Sequence, residues 1–485
     1  TLVRQAMNVV MNQYSEIAPE DFHFIFETGI TPELLYEDVN SIVDILRAVV
    51  ETELYTFLDG EDISFVGLAD ELTTIIDAVL HLNILSVDMA KVLENVLAMV
   101  GLEVAYEDLA AVDYDLDYEA IYTVLDIVEK ILTVNADIDS YNELMDYISS
   151  IESIDAVLYD RNVVSNENLH EVLNIVSALV NMQLVEVLFN PAYDAFVAPM
   201  FEGAEGLIAI LTDMDNYGVE LLVEDLNSII EVLHEVVDMN ALGIALDEAE
   251  IDWANTQAID HLIETIFALN ILDAKLEGLL DFVTENVFDV SAIVAEDLDL
   301  VNDGKLIAEA IRILIDELLV GDAVPFDKLA DLETVMSMNF LTLLQKPYLM
   351  AVVDAIENIV DTTLVAQAMN VVMSQYANFV PEQFQFVLES GINGELLHED
   401  LQSIVDVLRA VVETEVYLFL DGEDVPFDGL VEELITIIDT IAHLNILSYD
   451  QAFILQNALE IAGMEVSYEE LNAIDYNLEA EAVYS

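Results

Sequence analysis

A long internal repeat constrains the fold of this chain more than any other feature of its sequence. Residues 1–123 align with residues 363–485 without a gap, and 76 of the 123 aligned positions are identical. The segment SIVDILRAVVETELYTFLDGED from Ser41 matches SIVDVLRAVVETEVYLFLDGED from Ser403, so the period is 362 residues (403 − 41). Duplicated segments favour a repetitive architecture in which each unit packs against its neighbours.

A weaker half-period lies inside the long one. The segment LLYEDVNSIVDIL from Leu34 resembles LLVEDLNSIIEVL from Leu221 and LLHEDLQSIVDVL from Leu396. The two spacings, 187 (221 − 34) and 175 (396 − 221) residues, add up to the long period. The repeats predict four parts of the chain: a repeat segment (1–123), a helical connecting unit (124–220), a diverged half-repeat (221–362) and a second copy of the first segment, cut short at its C-terminal end (363–485).

The hydrophobic pattern predicts helices along most of the chain. Within Ser41–Leu58, apolar residues recur three and four positions apart and acidic residues fall on other faces, which is the period of an amphipathic helix. The ranges 67–85 and 87–100 carry the same pattern. Ser86 and Gly101 stand where an N-cap and a left-handed helix stop are expected.

These observations predict an all-α fold of tandem helical repeats. The predicted helices are joined by short acidic loops, and no linker rich in Gly, Pro or Ser separates them, which favours a continuous α-solenoid-like array over beads on a string. The segment AVVDAIENIVDT is predicted to run as helix straight into TLVAQAMNVVM, and the chain begins at the equivalent Thr1. We therefore expect a window of a longer repetitive chain.

Charge narrows the range of partners. The chain has 96 Asp and Glu against 11 Lys and Arg, a formal net charge of −85. Its 55% hydrophobic content is too high for a disordered acidic tail. Such a charge repels nucleic acid and anionic membrane surfaces, and salt or bound cations are needed to relieve the self-repulsion. Acidic residues interrupt every apolar stretch, so no transmembrane helix is expected.

No residue pattern in the sequence predicts catalysis. Cysteine is absent, which excludes disulfides, thiolate zinc sites and cysteine nucleophiles. The sequence has no G-x-S-x-G elbow, no glycine-rich phosphate loop with a lysine and no pair of histidines spaced for zinc on one helix. The seven histidines are predicted to lie on helix faces in structural roles. We expect a protein that is not an enzyme and requires no cofactor.

Two acidic loops are the candidate metal sites. The first carries Asp113, Asp115, Asp117 and Glu119, and the second carries Asp297, Asp299 and Asp303. Hard divalent cations such as Ca²⁺ prefer several oxygen ligands, which loops of this kind supply. Neither loop has the spacing of a calcium hand, and in the second copy the first loop reads DYNLEAE, with Asn477 and Glu479 in place of two aspartates. The competing interpretation is that these residues are solvated helix caps.

One basic position is retained in a chain poor in cations. Arg47 and Arg409 are equivalent in the long repeat, and His234 occupies the same position in the half-repeat. We expect the retained arginine to pair with buried or crowded carboxylates.

Architecture and charge together favour a structural role. The leading hypothesis is a structural or adhesive repeat protein of the cell surface or extracellular space, such as a fibre, stalk or sheath. It would associate with itself or with neighbouring repeats, with cations bridging its polyanionic surface. The alternative is an α-helical scaffold that binds a basic protein or peptide. Adaptation to high salt is compatible with either hypothesis.

Overall fold

A computed structural model gives an all-α protein. The structure describes residues 2–52, 55, 61–151, 157, 160, 162–201, 205–214, 217–239, 256–320, 346–414, 417–418 and 427–476. This part of the chain contains 24 α-helices and no β-strand. The predicted all-α class is therefore confirmed.

The chain divides into two compact units, residues 1–249 and 250–485. The first unit contains α1 (Leu2–Ile17), α2 (His23–Glu27), α3 (Pro32–Glu51), α4 (Leu68–Leu80), α5 (Asn83–Ser86), α6 (Met89–Met99), α7 (Tyr106–Ala111), α8 (Tyr114–Lys130), α9 (Tyr141–Ser150), α10 (Asn166–Val180), α11 (Gln183–Ala192), α12 (Leu207–Thr212) and α13 (Val219–Asp238). The second unit contains α14 (Thr256–Ala268), α15 (Asn270–Asn286), α16 (Leu300–Leu314), α17 (Lys346–Val360), α18 (Thr363–Phe379), α19 (Phe386–Glu389), α20 (Gly394–Glu413), α21 (Phe427–Ala442), α22 (Asn445–Ser448), α23 (Gln451–Ile461) and α24 (Tyr468–Leu471).

Successive helices pack side by side in the first unit. Helix α1 contacts α3, α3 contacts α4, α4 contacts α8, α8 contacts α10, and α10 contacts α13. A separate apolar cluster joins α6 and α7 to α11. Leu109 is completely buried there, and Ala90 and Val104 are buried beside it. Leu184 and Leu188 pack against these residues. Apolar burial is thus distributed along the unit.

The second unit shows the same side-by-side packing. Helix α14 contacts α16, α16 contacts α17, α17 contacts α20, and α20 contacts α21. Between α17 and α20, the side chains of Val353 and Val360 pack against Val405 and Val412. Each helix contributes one apolar ridge to this contact, as its amphipathic pattern requires.

Equivalent residues of the two copies adopt the same local geometry. Helices α1 and α18 both contain one non-helical residue, Gln13 (φ −126°, ψ 18°) and Gln375 (φ −128°, ψ 18°). Just beyond it, Tyr14 and Tyr376 each donate a hydrogen bond to a glutamate thirteen residues later, at 3.2 and 3.1 Å. Local sequence therefore sets the break, because it recurs in both copies.

The predicted helix stop at Gly101 is confirmed. Gly101 has φ 88°, its N–H donates to the carbonyl of Ala98, and the N–H of Leu102 donates to Leu97. This pair of bonds is a Schellman motif, which satisfies two carbonyls that the helix leaves without partners. Gly463 (φ 78°) ends α23 in the same way.

The predicted N-cap at Ser86 is wrong. Helix α6 begins at Met89, and Asp88 caps it by accepting a hydrogen bond from the N–H of Lys91 at 3.0 Å. Ser86 is the last residue of the preceding short helix. In the second copy, Asp450 is the equivalent N-cap of α23 and accepts a hydrogen bond from the N–H of Phe453.

Two predicted continuous helices are also interrupted. The range 67–85 is divided between α4 and α5, and the helix predicted to run into Thr363 ends at Val360. In both cases a new helix begins three positions later, and its first N–H groups are bound by a carboxylate from a distant helix.

Helix α11 contains Pro191 and is followed by a π-helical turn at Tyr193–Val197. Proline lacks an N–H, so one intrahelical hydrogen bond is missing and the pattern of hydrogen bonds can shift.

Among the described residues no single helix is long and apolar enough to cross a membrane. The pair Asn166–Val180 and Gln183–Phe201 reaches that length and composition only together, across a bend of 73°.

Candidate functional site

A buried carboxylate that caps the start of a distant helix is the recurring polar feature of the structure. Asp38, Asp117, Asp303 and Asp400 are between 0% and 3% exposed. Each lies within the first two turns of its helix and accepts two backbone N–H groups from a helix that begins 45 to 66 residues later. We call this arrangement the carboxylate junction.

The geometry is nearly the same at each junction, with oxygen-to-nitrogen distances of 2.6–2.9 Å. Asp38 binds Asn83 and Ile84, Asp117 binds Gln183 and Leu184, Asp303 binds Thr363 and Leu364, and Asp400 binds Asn445 and Ile446. A helix leaves its first N–H groups without partners, and its N-terminus carries partial positive charge. One carboxylate satisfies both needs, and these bonds offset the cost of burying it.

The residue before each capped helix explains why the carboxylate is needed. Leu82, Met182 and Leu444 occupy the N-cap position and have no side-chain oxygen to offer. Thr362 differs, because its hydroxyl also accepts the N–H of Val365 at 3.3 Å. The local sequence therefore carries no capping signal at three of these four starts.

A second bond fixes the direction of each junction. The side chain of the first residue in the capped helix binds the backbone four positions before the aspartate. Asn83 donates to the carbonyl of Leu34 (3.4 Å), Asn445 donates to Leu396 (3.3 Å), Gln183 accepts from the N–H of Asp113 (2.8 Å), and Thr363 accepts from Asp299 (2.9 Å). Two anchor points one helical turn apart hold the two helices in a fixed orientation.

Asp225 occupies the equivalent position in the half-repeat and is also buried. Its carboxylate accepts a hydrogen bond from the phenol of Tyr217 at 2.9 Å. Burial raises the pKa of Tyr217, and the hydrogen bond to Asp225 raises that pKa further. The phenol is therefore neutral and acts as a donor at physiological pH.

The first acidic segment was predicted as a loop, but it is helical from Tyr114 onward and supplies caps. Asp113 is the N-cap of α8 and accepts the N–H of Asp115 at 3.2 Å, while Asp117 is buried in its junction. Asp115 and Glu119 are exposed. Asn477 and Glu479, which replace Asp115 and Asp117 in the second copy, lie outside the described residues.

The second acidic segment is built in the same way, with α16 beginning at Leu300. Asp299 is the N-cap of α16 and accepts the N–H of Asn302 at 3.1 Å, Asp303 is buried, and Asp297 is exposed in a short 3-10 turn. Capping therefore occupies four of the seven predicted ligands. Within the part of the chain that the structure describes, no three His, Asp or Glu side chains are grouped to hold a metal ion. Calcium binding by these loops stays a prediction.

An open cleft of about 420 Å³ lies beside the first acidic loop. Its walls include His81, Asp113, Asp115 and Tyr118. Burial raises the pKa of Tyr118, and the charge of Asp115 raises it further. The cleft thus places two predicted ligands beside an imidazole that sequence analysis treated as structural.

Two histidines meet between α10 and α13. The Nδ1 atoms of His170 and His234 are 2.7 Å apart, and the rings stack with centroids 5.0 Å apart. Nε2 of His170 lies 2.9 Å from a carboxylate oxygen of Asp238. Burial lowers the pKa of His234, and the neighbouring His170 lowers it further. Sequence reasoning missed this pair because the residues are 64 positions apart, on different helices.

The retained basic position faces the preceding helix. Arg409 on α20 forms ion pairs with Asp354, at 2.6 Å, and with Glu357, both on α17. The expected pairing with crowded carboxylates is confirmed there. Arg47 is 62% exposed and pairs with Asp44 of its own helix at 2.7 Å. His234 faces α10 from the same register, so the position contacts a neighbouring helix at two of its three occurrences.

The comparisons with known proteins give no assignment: no protein-family model, curated protein or solved structure matches the chain.

Proposed function

We propose that this chain is a non-enzymatic structural repeat protein whose helices form a continuous α-solenoid-like array. The observation that carries the proposal is the carboxylate junction. A buried aspartate fixes the start of a later helix at Asp38 and at its repeat equivalent Asp400, and again at Asp117 and Asp303. A joint used repeatedly along a chain serves the architecture, because an active site is needed only once.

The packing agrees with this role. Within each unit, long helices contact their neighbours in succession, and the buried side chains form small clusters between adjacent helices. Contacts between neighbours are what a repeat array requires. Such an array provides length and a regular surface, which suits a fibre, stalk or sheath at the cell surface.

Charge provides the control of assembly in this proposal. Several basic side chains are already bound by carboxylates, as in the pairs Lys91–Glu94 and Lys130–Glu171, both at 2.6 Å. Most of the 96 acidic residues therefore have no basic counterpart in a chain with 11 Lys and Arg. Repulsion keeps such arrays apart until salt screens it or divalent cations bridge the exposed carboxylates.

Light scattering tests the proposal directly. The chain is measured in low salt, in NaCl and in millimolar Ca²⁺ at matched ionic strength, with chelator controls, while circular dichroism reports helix content. We expect larger assemblies in NaCl or in Ca²⁺ than in low salt, with the same helix content in all three buffers. Assembly in Ca²⁺ alone would identify bridging, and equal assembly in NaCl would identify screening. A helical monomer in every buffer would contradict a self-assembling structural role.

A scaffold for a basic partner is the second candidate, and the unmatched negative charge favours it. Binding of a lysine- and arginine-rich peptide by the monomer, weakening steeply as salt rises, would support this candidate. Assembly of arrays instead strengthens as salt rises, so the direction of the salt dependence separates the two functions.

A further inference from the structure

One helix face that is covered elsewhere in the chain is open on α3. Val43 is 49% exposed and Val50 is 57% exposed, which is unusual for valines at helical spacing on one face. Their counterparts are between 4% and 7% exposed: Ile230 and Val237 on α13, and Val405 and Val412 on α20. The sequence predicts the same face at all three places, so the difference lies in what covers it.

The covering element is a preceding helix in both buried cases. Helix α10 packs on α13, and α17 packs on α20. The retained basic position marks this contact, because His234 meets α10 and Arg409 meets Asp354 and Glu357 of α17. Arg47 points from the same register of α3 and is bonded to Asp44 of its own helix.

On α3 itself, the largest difference lies on this face. One position earlier on the same helices, Ile42 and Ile404 are 42% and 40% exposed, so their exposure is nearly equal in the two copies. The neighbouring helix of the first copy is uncovered as well, since Val9 on α1 is 53% exposed and its counterpart Val371 on α18 is 6% exposed. The contrast therefore indicates an unfilled helix-binding face.

We propose that Val43, Arg47 and Val50 form a docking face for a helix of the same chemistry as α17. The occupant presents an aliphatic ridge like that of Val353 and Val360, with two carboxylates three residues apart that take the place of Asp354 and Glu357 beside Arg47. Lys346 adds a third point of recognition, because it donates to the carbonyl of Glu413 at 2.8 Å and Glu51 is equivalent.

Two flanking contacts differ and set the specificity of the face. His398 binds the carbonyl of Val360 at 2.7 Å, and Tyr36 stands in its place on α3. Gln402 donates to Asp361 at 2.8 Å, and Asn40 is its shorter counterpart. The centre of the face is therefore retained while its N-terminal edge is altered.

The first test uses a fluorescent peptide of residues 346–362 and the full chain. The peptide carries one lysine and three carboxylates, so it is repelled by the acidic chain and should bind better in 0.5 M NaCl than in low salt. We expect saturable anisotropy, with affinity reduced about tenfold or more by Val43→Asp and left unchanged by the matched control Ile42→Asp. Arg47→Glu should also weaken binding, and a peptide with Asp354→Lys and Glu357→Lys should restore it.

The second test removes the cost of ordering a short free peptide. Residues 346–362 are joined to the chain before Thr1, just as Thr362 precedes Thr363 in the second copy. Hydrogen exchange of the amides of Leu46–Val50 should slow about tenfold or more, and Val43→Asp should abolish that protection. Protection in the extended chain alone still supports the docking face. Unchanged exchange in the extended chain, or peptide binding indifferent to Val43→Asp, would overturn it.

This inference deepens the proposed function, since it names a surface through which helical repeats add to one another, and the two can fail separately. A chain that binds the peptide but stays monomeric by light scattering keeps the docking face and loses self-assembly. A chain that assembles unaffected by Val43→Asp keeps self-assembly and loses this face as its route.

Discussion

The backbone N–H and the hydroxyl of Thr363 both donate to the carboxylate of Asp303, each at 2.7 Å, and Asp303 is completely buried. The carboxylate also accepts the N–H of Leu364 at 2.9 Å. Three donors thus converge on a side chain that no water reaches, at the start of a helix whose dipole favours negative charge. The stability of the α16–α18 contact should therefore depend strongly on this one residue.

Asp303→Ala should destabilise the second unit by about 2–4 kcal/mol, because the first N–H groups of α18 would lose their acceptor in a buried place. Denaturant unfolding followed by hydrogen exchange in α18 measures the loss. Asp297→Ala, at an exposed position of the same loop, is the control and should stay within about 0.5 kcal/mol. Equal effects of the two substitutions would mean that the junction does not hold the helices.

Leu109→Ala should destabilise the first unit by about 2–5 kcal/mol, since it removes a completely buried side chain between α6, α7 and α11. Thermal unfolding of Leu109→Ala and of the matched control Leu116→Ala measures the loss of stability. Leu116 is 53% exposed on α8, so its truncation should have little effect. A small loss at Leu109 would mean that the cluster relaxes around the cavity.

The arginine pair gives a comparison between copies. Arg409→Gln should cost about 1 kcal/mol, because a partly covered guanidinium loses two carboxylates of α17. Arg47→Gln should be almost neutral, since its single ion pair is exposed and lies within one helix. Unfolding free energies in low and high salt test this, and the Arg409 effect should be the one that shrinks less with salt.

Gly304→Ala should destabilise α16 despite the higher helix propensity of alanine. A Cβ at Gly304 would lie 2.5 Å from Cβ of Phe267 on α14, which cannot rotate away. We expect a loss of about 1–3 kcal/mol from this overpacking. Gly218→Ala is the control, because open space surrounds it and its φ is −75°. A thermal melt in which both variants match the parent chain would refute the close contact.

Periodicity predicted the helical class because each long helix has one apolar face, as α3 and α20 illustrate. It failed at the breaks before Asn83 and Thr363, since the capping carboxylates come from Asp38 and Asp303, 45 and 60 residues away. A local pattern contains no information about such distant partners. The half-repeat hinted at them, because Asp38 and Asp225 both follow a glutamate at the same place in the repeated segment.

Only part of the role of the two acidic segments could be predicted from the sequence. Helix capping was the competing interpretation, and the structure shows it at Asp113 and Asp299. The same interpretation took the loops to be solvated, whereas Asp117 and Asp303 are buried. Burial depends on which later helix covers the aspartate, and a single sequence does not specify that.

His234 gives the chain a group whose contribution to stability depends on pH. Burial lowers its pKa in the folded state, and His170 lowers it further. An unfolded histidine titrates near its ordinary pKa of about 6.5, so as pH falls through that value the unfolded chain binds the proton first and the folded state loses stability. Above that pH both states hold a neutral imidazole, and this loss is absent.

His234→Asn should therefore remove one source of destabilisation in acid. The melting temperature of the parent chain minus that of the variant should fall as pH is lowered from about 7.5 to about 5. The difference cancels the titration of the many carboxylates that both chains share. A parent chain that gains stability over the variant in acid would contradict the lowered pKa, and would place a protonated, ion-paired imidazole between α10 and α13.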